Sequence, residues 1–309
     1  MRDHIQAVLH HLRSRGVEYA DVRRMAARSQ ELAVKNGRVQ SVNQGEEAGY
    51  GIRVIHKGAW GFAAASEGLD GPGAEGALIR VAEKALSVAE AASRVNRERV
   101  RLDESPPEVG SYRGLCEEDP FAVPLEEKID LLVRTTEILS HPRTLAASAR
   151  MVCHRVEKTF ASTEGAWVEQ EFTETGAGMS CTVAEGGEVQ TRSFPTSDAG
   201  NYAQRGYEFI RETGLAEAAP RVLEEGLALL KAPGVPEDEW DIILASNQMV
   251  LQLHESCGHA IELDRVFGDE ISLAGGSFLT TDRRGRFRYG SDLIHIYADG
   301  TLPGALGSY

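Results

Sequence analysis

The sequence predicts an α+β fold of antiparallel sheets with covering helices, on three observations. Apolar stripes at helical spacing alternate along the chain with runs of alternating polarity, tight-turn dipeptides separate those runs, and the order helix, sheet, helix occurs twice without a parallel strand–helix–strand unit. With 42% apolar residues in 309, the chain can fill two or three cores.

Ile5, Val8, Leu9 and Leu12 mark an opening helix stopped at Gly16. Residues 19–34 then read as a strand. Asn36-Gly37 offers the two positive φ angles of a tight hairpin before Val39 and Val42, and GYGIRVI and AWGFAAA flank a second such turn at Lys57-Gly58. Between Ala74 and Val95 the stripe Leu78, Val81, Ala85, Ala89 and Ala92 predicts a helix over one face of this meander. The stretch 101–124, acidic and holding Pro106, Pro107, Pro120 and Pro124, resists regular structure and suits a connection. A helix over Leu125–Ser140 follows, with Ile129, Leu132, Val133 and Thr136 on its apolar side, ending before His141-Pro142. Segments near 145–161, 166–174, 177–185 and 188–194, separated by Glu164-Gly165, Gly176 and Gly186-Gly187, predict a second antiparallel sheet. A helix at about 216–231 and a short apolar strand, WDIILA at 240–245, complete the pattern. We divide the chain into an N-terminal α+β domain (1–105), a middle α+β domain (106–214) and the start of a third domain (215–309).

Lys and Arg number 33 against 47 Asp and Glu, a net charge of −14 that disfavours direct contact with nucleic acid or an anionic membrane. The N-terminus lacks the continuous apolar core of a signal peptide and no later run reaches membrane-spanning length, so a cytoplasmic protein is expected. Cys116, Cys153, Cys181 and Cys257 are scattered, without a pair that suggests a disulfide scaffold or a zinc ribbon.

The segment LHESCGHAIELD, residues 253–264, sets His254 beside Glu255 and places His259 five positions after the first histidine. Neutral imidazoles suit zinc, and an adjacent glutamate that is not a ligand can take a proton from water. On a regular helix a step of four leaves two side chains about 40° apart, whereas a step of five leaves them about 140° apart. A straight helix would therefore separate the histidines. One inserted residue, a π-bulge, brings them back to one side, so irregular geometry is expected near 255–259, with Gly258 the easiest place to distort. The plainer alternative makes His254 and His259 hydrogen-bonded residues of a partly buried helix and Glu255 a solvent-facing one. Glu262 could reach an ion or simply face water; Cys257 falls on an apolar stripe with Leu253 and Met249; His295, in LIHIYAD, reads as a strand residue.

HESCGHAIELDRVFG, followed by GGSFLT and later by DGTLPGALGSY, resembles the core of the TldD/PmbA metallopeptidases, also called modulators of DNA gyrase. The N-terminal half agrees: its VKNG turn, GYGIRV strand and WGFA strand occur in the order of that family's opening domain, so the resemblance spans essentially the whole chain. It implies a cytosolic zinc peptidase acting on peptides or unfolded segments. The chain resembles the metal-bearing TldD type, working as a homodimer or with a metal-less PmbA (TldE) partner subunit. His254 and His259 would be metal ligands and Glu255 the general base. In the family the third ligand is a cysteine far downstream, and none of the four cysteines here matches it. The C-terminal β-rich peptidase domain is therefore expected to be incomplete in residues 215–309, with impaired metal binding and activity. Two further readings stand beside this one: a non-catalytic partner subunit that binds peptide and shapes a tunnel, and thiol chemistry at Cys257.

Overall fold

The computed structural model describes residues 1–66, 71, 73–96, 98–197 and 200–307. Its elements run α1 (Arg2–Ser14), β1 (Tyr19–Lys35), β2 (Arg38–His56), β3 (Ala59–Ala65), α2 (Ala74–Ala92), β4 (Val109–Arg113), α3 (Leu125–Ile138), β5 (Thr144–Ser162), β6 (Trp167–Glu185), β7 (Glu188–Phe194), β8 (Asn201–Ala203), α4 (Tyr207–Thr213) and α5 (Leu215–Leu229). Beyond these, α6 (Ser246–Leu253) and α7 (Leu263–Phe267) bracket the His-Glu segment. The mixed α+β class with antiparallel pairing is as the sequence indicates.

The two tight turns form as read. Asn36 and Gly37 take φ of 51° and 70°, Lys57 and Gly58 take 52° and 74°, and each dipeptide joins adjacent antiparallel strands. The first turn is also fastened from outside: Asn36 exchanges hydrogen bonds with the backbone of Ala147, and Gly37 N–H donates to Thr136 Oγ1 at 3.1 Å.

The strands assigned to a second sheet instead extend the first. One eight-stranded sheet runs in the order β3-β2-β1-β5-β6-β4, with β7 and β8 each pairing with β6. The junction is β1, which pairs antiparallel with β2 on one side and with β5 on the other, from Asp21↔Ser162 to Lys35↔Ser148. Gly176 does not end a strand, because β6 continues through it. A Cβ there would lie 2.1 Å from the Tyr202 ring and 2.4 Å from Asn201 O, so the glycine is what admits β8 alongside. Within the Pro-rich stretch 101–124, β4 forms after all, since β6 offers its edge for a short parallel pairing between the prolines. WDIILA is exposed and forms no strand.

All the core helices cover one face of the sheet. Val22, Ala161 and Trp167 are paired neighbours in one apolar core; Leu32, Met151 and Ala177 are paired neighbours in the other. Cross-strand partners point the same way, and Val22 and Leu32 stand an even number of residues apart, so both cores lie beneath the same face. The first is filled from α1 and α2 by Ile5, Val8, Leu12, Leu78 and Leu86; the second from α3, α4 and α5 by Leu132, Ile210 and Val222. Lys128, on the buried side of α3, is a charge that the periodicity gives no sign of. Its ammonium donates to Gln30 Oε1 and to Pro120 O, tying α3 to β1, and burial lowers its pKa. On the opposite face Asp21 is fully buried under Arg53, whose Nε and Nη2 donate to Oδ2 at 3.0 and 2.8 Å while the guanidinium stacks 5.0 Å from the Trp60 ring centre.

The contact between α2 and β3 depends on Gly61. A Cβ at that position would come within 2.0 Å of Ala85 O and 2.5 Å of Ala89 N, both helix backbone that cannot swing aside. Gly61→Ala is expected to cost about 1–3 kcal/mol, the usual penalty of overpacking. Gly110→Ala, at a position with open space, should stay within about 0.5 kcal/mol. Urea denaturation midpoints of the two variants check both.

Candidate metal centre

α6 runs from Ser246 to Leu253 and then changes pitch. His254–Gly258 form a π-helical turn, His259–Ile261 a 3-10 turn, and the chain extends at Glu262 before α7 begins. The irregularity expected from the five-residue spacing is present, and it brings the two histidines to one side: their ring centres lie 4.4 Å apart with planes at 65°. Gly258 contributes less than expected. Its φ of −58° is ordinary helix, and a Cβ would meet nothing nearer than Leu253 O at 3.7 Å. The spacing, not the glycine, goes with the turn.

Glu255 lies between the imidazoles. One carboxylate oxygen is 3.9 Å from His254 Nε2 and the other 3.8 Å from His259 Nε2, too long for hydrogen bonds. One donor atom from each of the three residues falls within a 4.8 Å spread. That suits a zinc ion, whose bonds to nitrogen are about 2.0–2.1 Å and which takes neutral imidazoles as ligands. The two imidazoles fit the metal that the resemblance implies, with Glu255 beside them. Among the described residues no third histidine or any cysteine gathers with the pair. His295 lies in irregular exposed chain, not in a strand, and is not among the gathered residues. Glu262 places Oε1 3.0 Å from His259 Nδ1, on the far side of the ring from Glu255.

The surroundings come from parts of the chain that spacing cannot connect. Ser277, in GGSFLT, donates its hydroxyl to Ala260 O at 2.6 Å and accepts from Leu279 N–H, fastening that motif under the 3-10 turn. Phe278 stacks on Tyr289, with ring centres 6.0 Å apart, and the Tyr289 hydroxyl donates to Ser256 O within the π-turn. Hydrogen bonding with the Cys257 side chain holds the Tyr289 phenol above its ordinary pKa. Two hollows flank the turn. An apolar cleft of about 860 Å³ is lined by Leu253, His254, Cys257, Ile261 and Phe287 among others, and a smaller one of about 370 Å³ by Glu255, His259, Ser277 and Tyr289. His254 therefore stands at the edge of an apolar space, and Glu255 at the edge of a mixed one.

Residues 20–89 match the PmbA/TldA metallopeptidase domain 1, and residues 118–224 match the PmbA/TldA metallopeptidase central domain, together more than half of the chain. The chain belongs to the TldD/PmbA family. Among family relatives, a metalloprotease of Methanocaldococcus jannaschii is 25% identical over 94% of this chain and 60% of its own length, and one of Methanothermobacter thermautotrophicus is 26% identical over 99% and 62%. The chain thus spans about three fifths of the curated relatives it matches. Crystal structures described as candidate modulators of DNA gyrase, from Thermotoga maritima and Bacteroides thetaiotaomicron, share its fold with TM-scores of 0.58 and 0.57. Each is 16% identical and covers 76% of this chain; the chain covers 50% and 51% of theirs. The two family matches stop short of the TldD/PmbA-like motif at 253–264, so the geometry of that motif is described by the structure alone. The last two residues of DGTLPGALGSY lie outside the described residues.

All four cysteines are free thiols, in different settings. Burial pushes the Cys153 thiol up to about 11 and raises that of Cys181, so near neutral pH both stay protonated and shielded. Iodoacetamide applied to the native protein is expected to label Cys257, half-exposed at the π-turn, well before Cys153 and Cys181, as read by peptide mass mapping over time.

Proposed function

We propose that this chain is the metal-bearing subunit of a zinc-dependent peptidase acting on peptides or unfolded protein segments. The observation that carries the reading is the π-turn, which gathers two imidazoles and a carboxylate that a regular helix would spread apart. His254 and His259 hold the metal through ring nitrogens. Zinc there supplies Lewis-acid polarisation of a carbonyl and acidifies water. Glu255 is close to both imidazoles and hydrogen-bonded to neither, so it is free to take the proton of an attacking water and pass it to the leaving amine. The apolar cleft beside His254 suits the side chains of an extended peptide. In this reading residues 1–105 and 106–214 are supporting α+β domains sharing one sheet, and 215–309 begin with α5, which packs in the α3–α5 core, and carry the motif of the peptidase domain, with a third protein ligand supplied from outside the gathered residues. The protein works in the cytoplasm with a metal-less PmbA/TldE-like partner subunit or a second copy of itself. Among the described residues no helix is long and apolar enough to cross a membrane.

A second reading follows from the two-histidine set: a non-catalytic subunit that binds peptide and shapes a tunnel for an active partner. Metal content separates the two. Elemental analysis after gel filtration is expected to find about one zinc per chain in a version extended to supply the third ligand, lost in its His254→Ala variant, and weak occupancy in the 309-residue chain. In the extended version, if active, Glu255→Gln should keep the zinc and lower peptide hydrolysis by about 10²–10⁴-fold. A chain that takes up no zinc in either form supports the non-catalytic subunit, and an unchanged rate in Glu255→Gln removes the general-base role.

A further inference from the structure

We propose that Glu262 is a positioning residue for His259 and not a ligand of the metal, an inference that rests on the zinc reading above. The chain leaves the 3-10 turn at Glu262, with φ −63° and ψ 122°, which returns the carboxylate to the His259 ring. Oε1 lies 3.0 Å from Nδ1. Oε2 lies 2.7 Å from Arg265 Nε, a charge contact in which the N–H is not aimed at the oxygen, and the same Nε is 3.5 Å from Glu270 Oε2. Each oxygen of Glu262 is thus engaged, and the arginine is itself braced by a second carboxylate.

An ionised carboxylate can only accept, so this arrangement places the ring proton on Nδ1 and leaves the Nε2 lone pair bare. Nε2 is the nitrogen on the side of Glu255, 3.8 Å from its carboxylate, where the metal would sit. Fixing the tautomer and rotation of a ligating imidazole is what an outer carboxylate does at a zinc site. The two histidines are unequal in this respect. The His259 side chain is 26% exposed and held from behind; that of His254 is 60% exposed, with no comparable carboxylate contact behind its ring among the described residues. Of the two candidate ligands, His259 is therefore the one whose ring is held in place before any metal binds.

The test uses the full 309-residue chain, metal-free and ¹⁵N-labelled at histidine, with ring-nitrogen NMR at mildly alkaline pH and the His259 signals assigned by their loss in His259→Gln. The expected result is an Nδ1–H tautomer in the unaltered chain and in Glu262→Gln, whose amide oxygen still accepts, and a shift towards Nε2–H in Glu262→Ala. A purely structural role would not move the tautomer. Zinc affinity, measured by competition with a chromophoric chelator, should fall about 10–100-fold in Glu262→Ala and less in Glu262→Gln, at unchanged stoichiometry. An unaltered tautomer in Glu262→Ala overturns the proposal, as does a Glu262→Gln variant that loses zinc as completely as His259→Ala, which would make Glu262 a ligand. If neither the unaltered chain nor a version extended to supply a third ligand binds zinc, the peptidase reading fails, while the tautomer comparison still decides whether Glu262 orients the ring.

Discussion

β1 has no free edge, and the rest of the architecture follows from that. A strand paired along both sides satisfies its backbone donors and acceptors internally, so it can carry apolar residues on one face without exposing peptide groups to solvent. The α1–α2 core gathers near one end of this strand, at Ala20 and Val22, and the α3–α5 core near the other, at Leu32 and Val34. Fixing the register of β1 fixes the position of both. The Asn36–Gly37 turn sets that register from the inside and its bonds to Ala147 and Thr136 set it from the outside, so a slip of one residue would break both together.

Much of this was legible in the sequence because it depends on neighbours. The hairpins at 36–37 and 57–58, and the helices at 2–14, 74–92, 125–138 and 215–229, follow from short-range rules about φ angles and period. What the sequence concealed depends on partners far along the chain. Gly176 looks like a strand break until β8 is seen lying against it, and Gly61 looks like any strand residue until α2 is seen crossing it. Lys128 sits on the buried side of its helix because Gln30 and the Pro120 carbonyl meet it there, and neither can be inferred from the helix itself. WDIILA has the composition of a strand and pairs with none of the described strands.

The candidate metal centre divides in the same way. Angular arithmetic on a spacing of five is enough to demand a distorted turn, and the structure supplies one at 254–258. The arithmetic says nothing about Ser277 under Ala260, Tyr289 on Ser256, or Arg265 between Glu262 and Glu270, since these join residues across turns and loops whose paths it does not constrain. The motif HESCGHAIELDRVFG and the later GGSFLT occur together because the second is folded against the first, with the Ser277 hydroxyl and the Phe278 ring as the points of attachment.

The shared ladder also decides where the protein can bend. Swinging the α1–α2 side against the α3–α5 side would shear the whole β1–β5 pairing, so the two lobes move as a single plate and cannot close on each other like jaws. After α5, residues 232–245 contain neither helix nor strand, and the later chain meets the sheet again at Gln204, whose N–H donates to Gly304 O. The segment carrying His254 and His259 packs chiefly on itself, through α6, the π-turn, the 3-10 turn and α7, so it can shift without shearing the β1–β5 ladder.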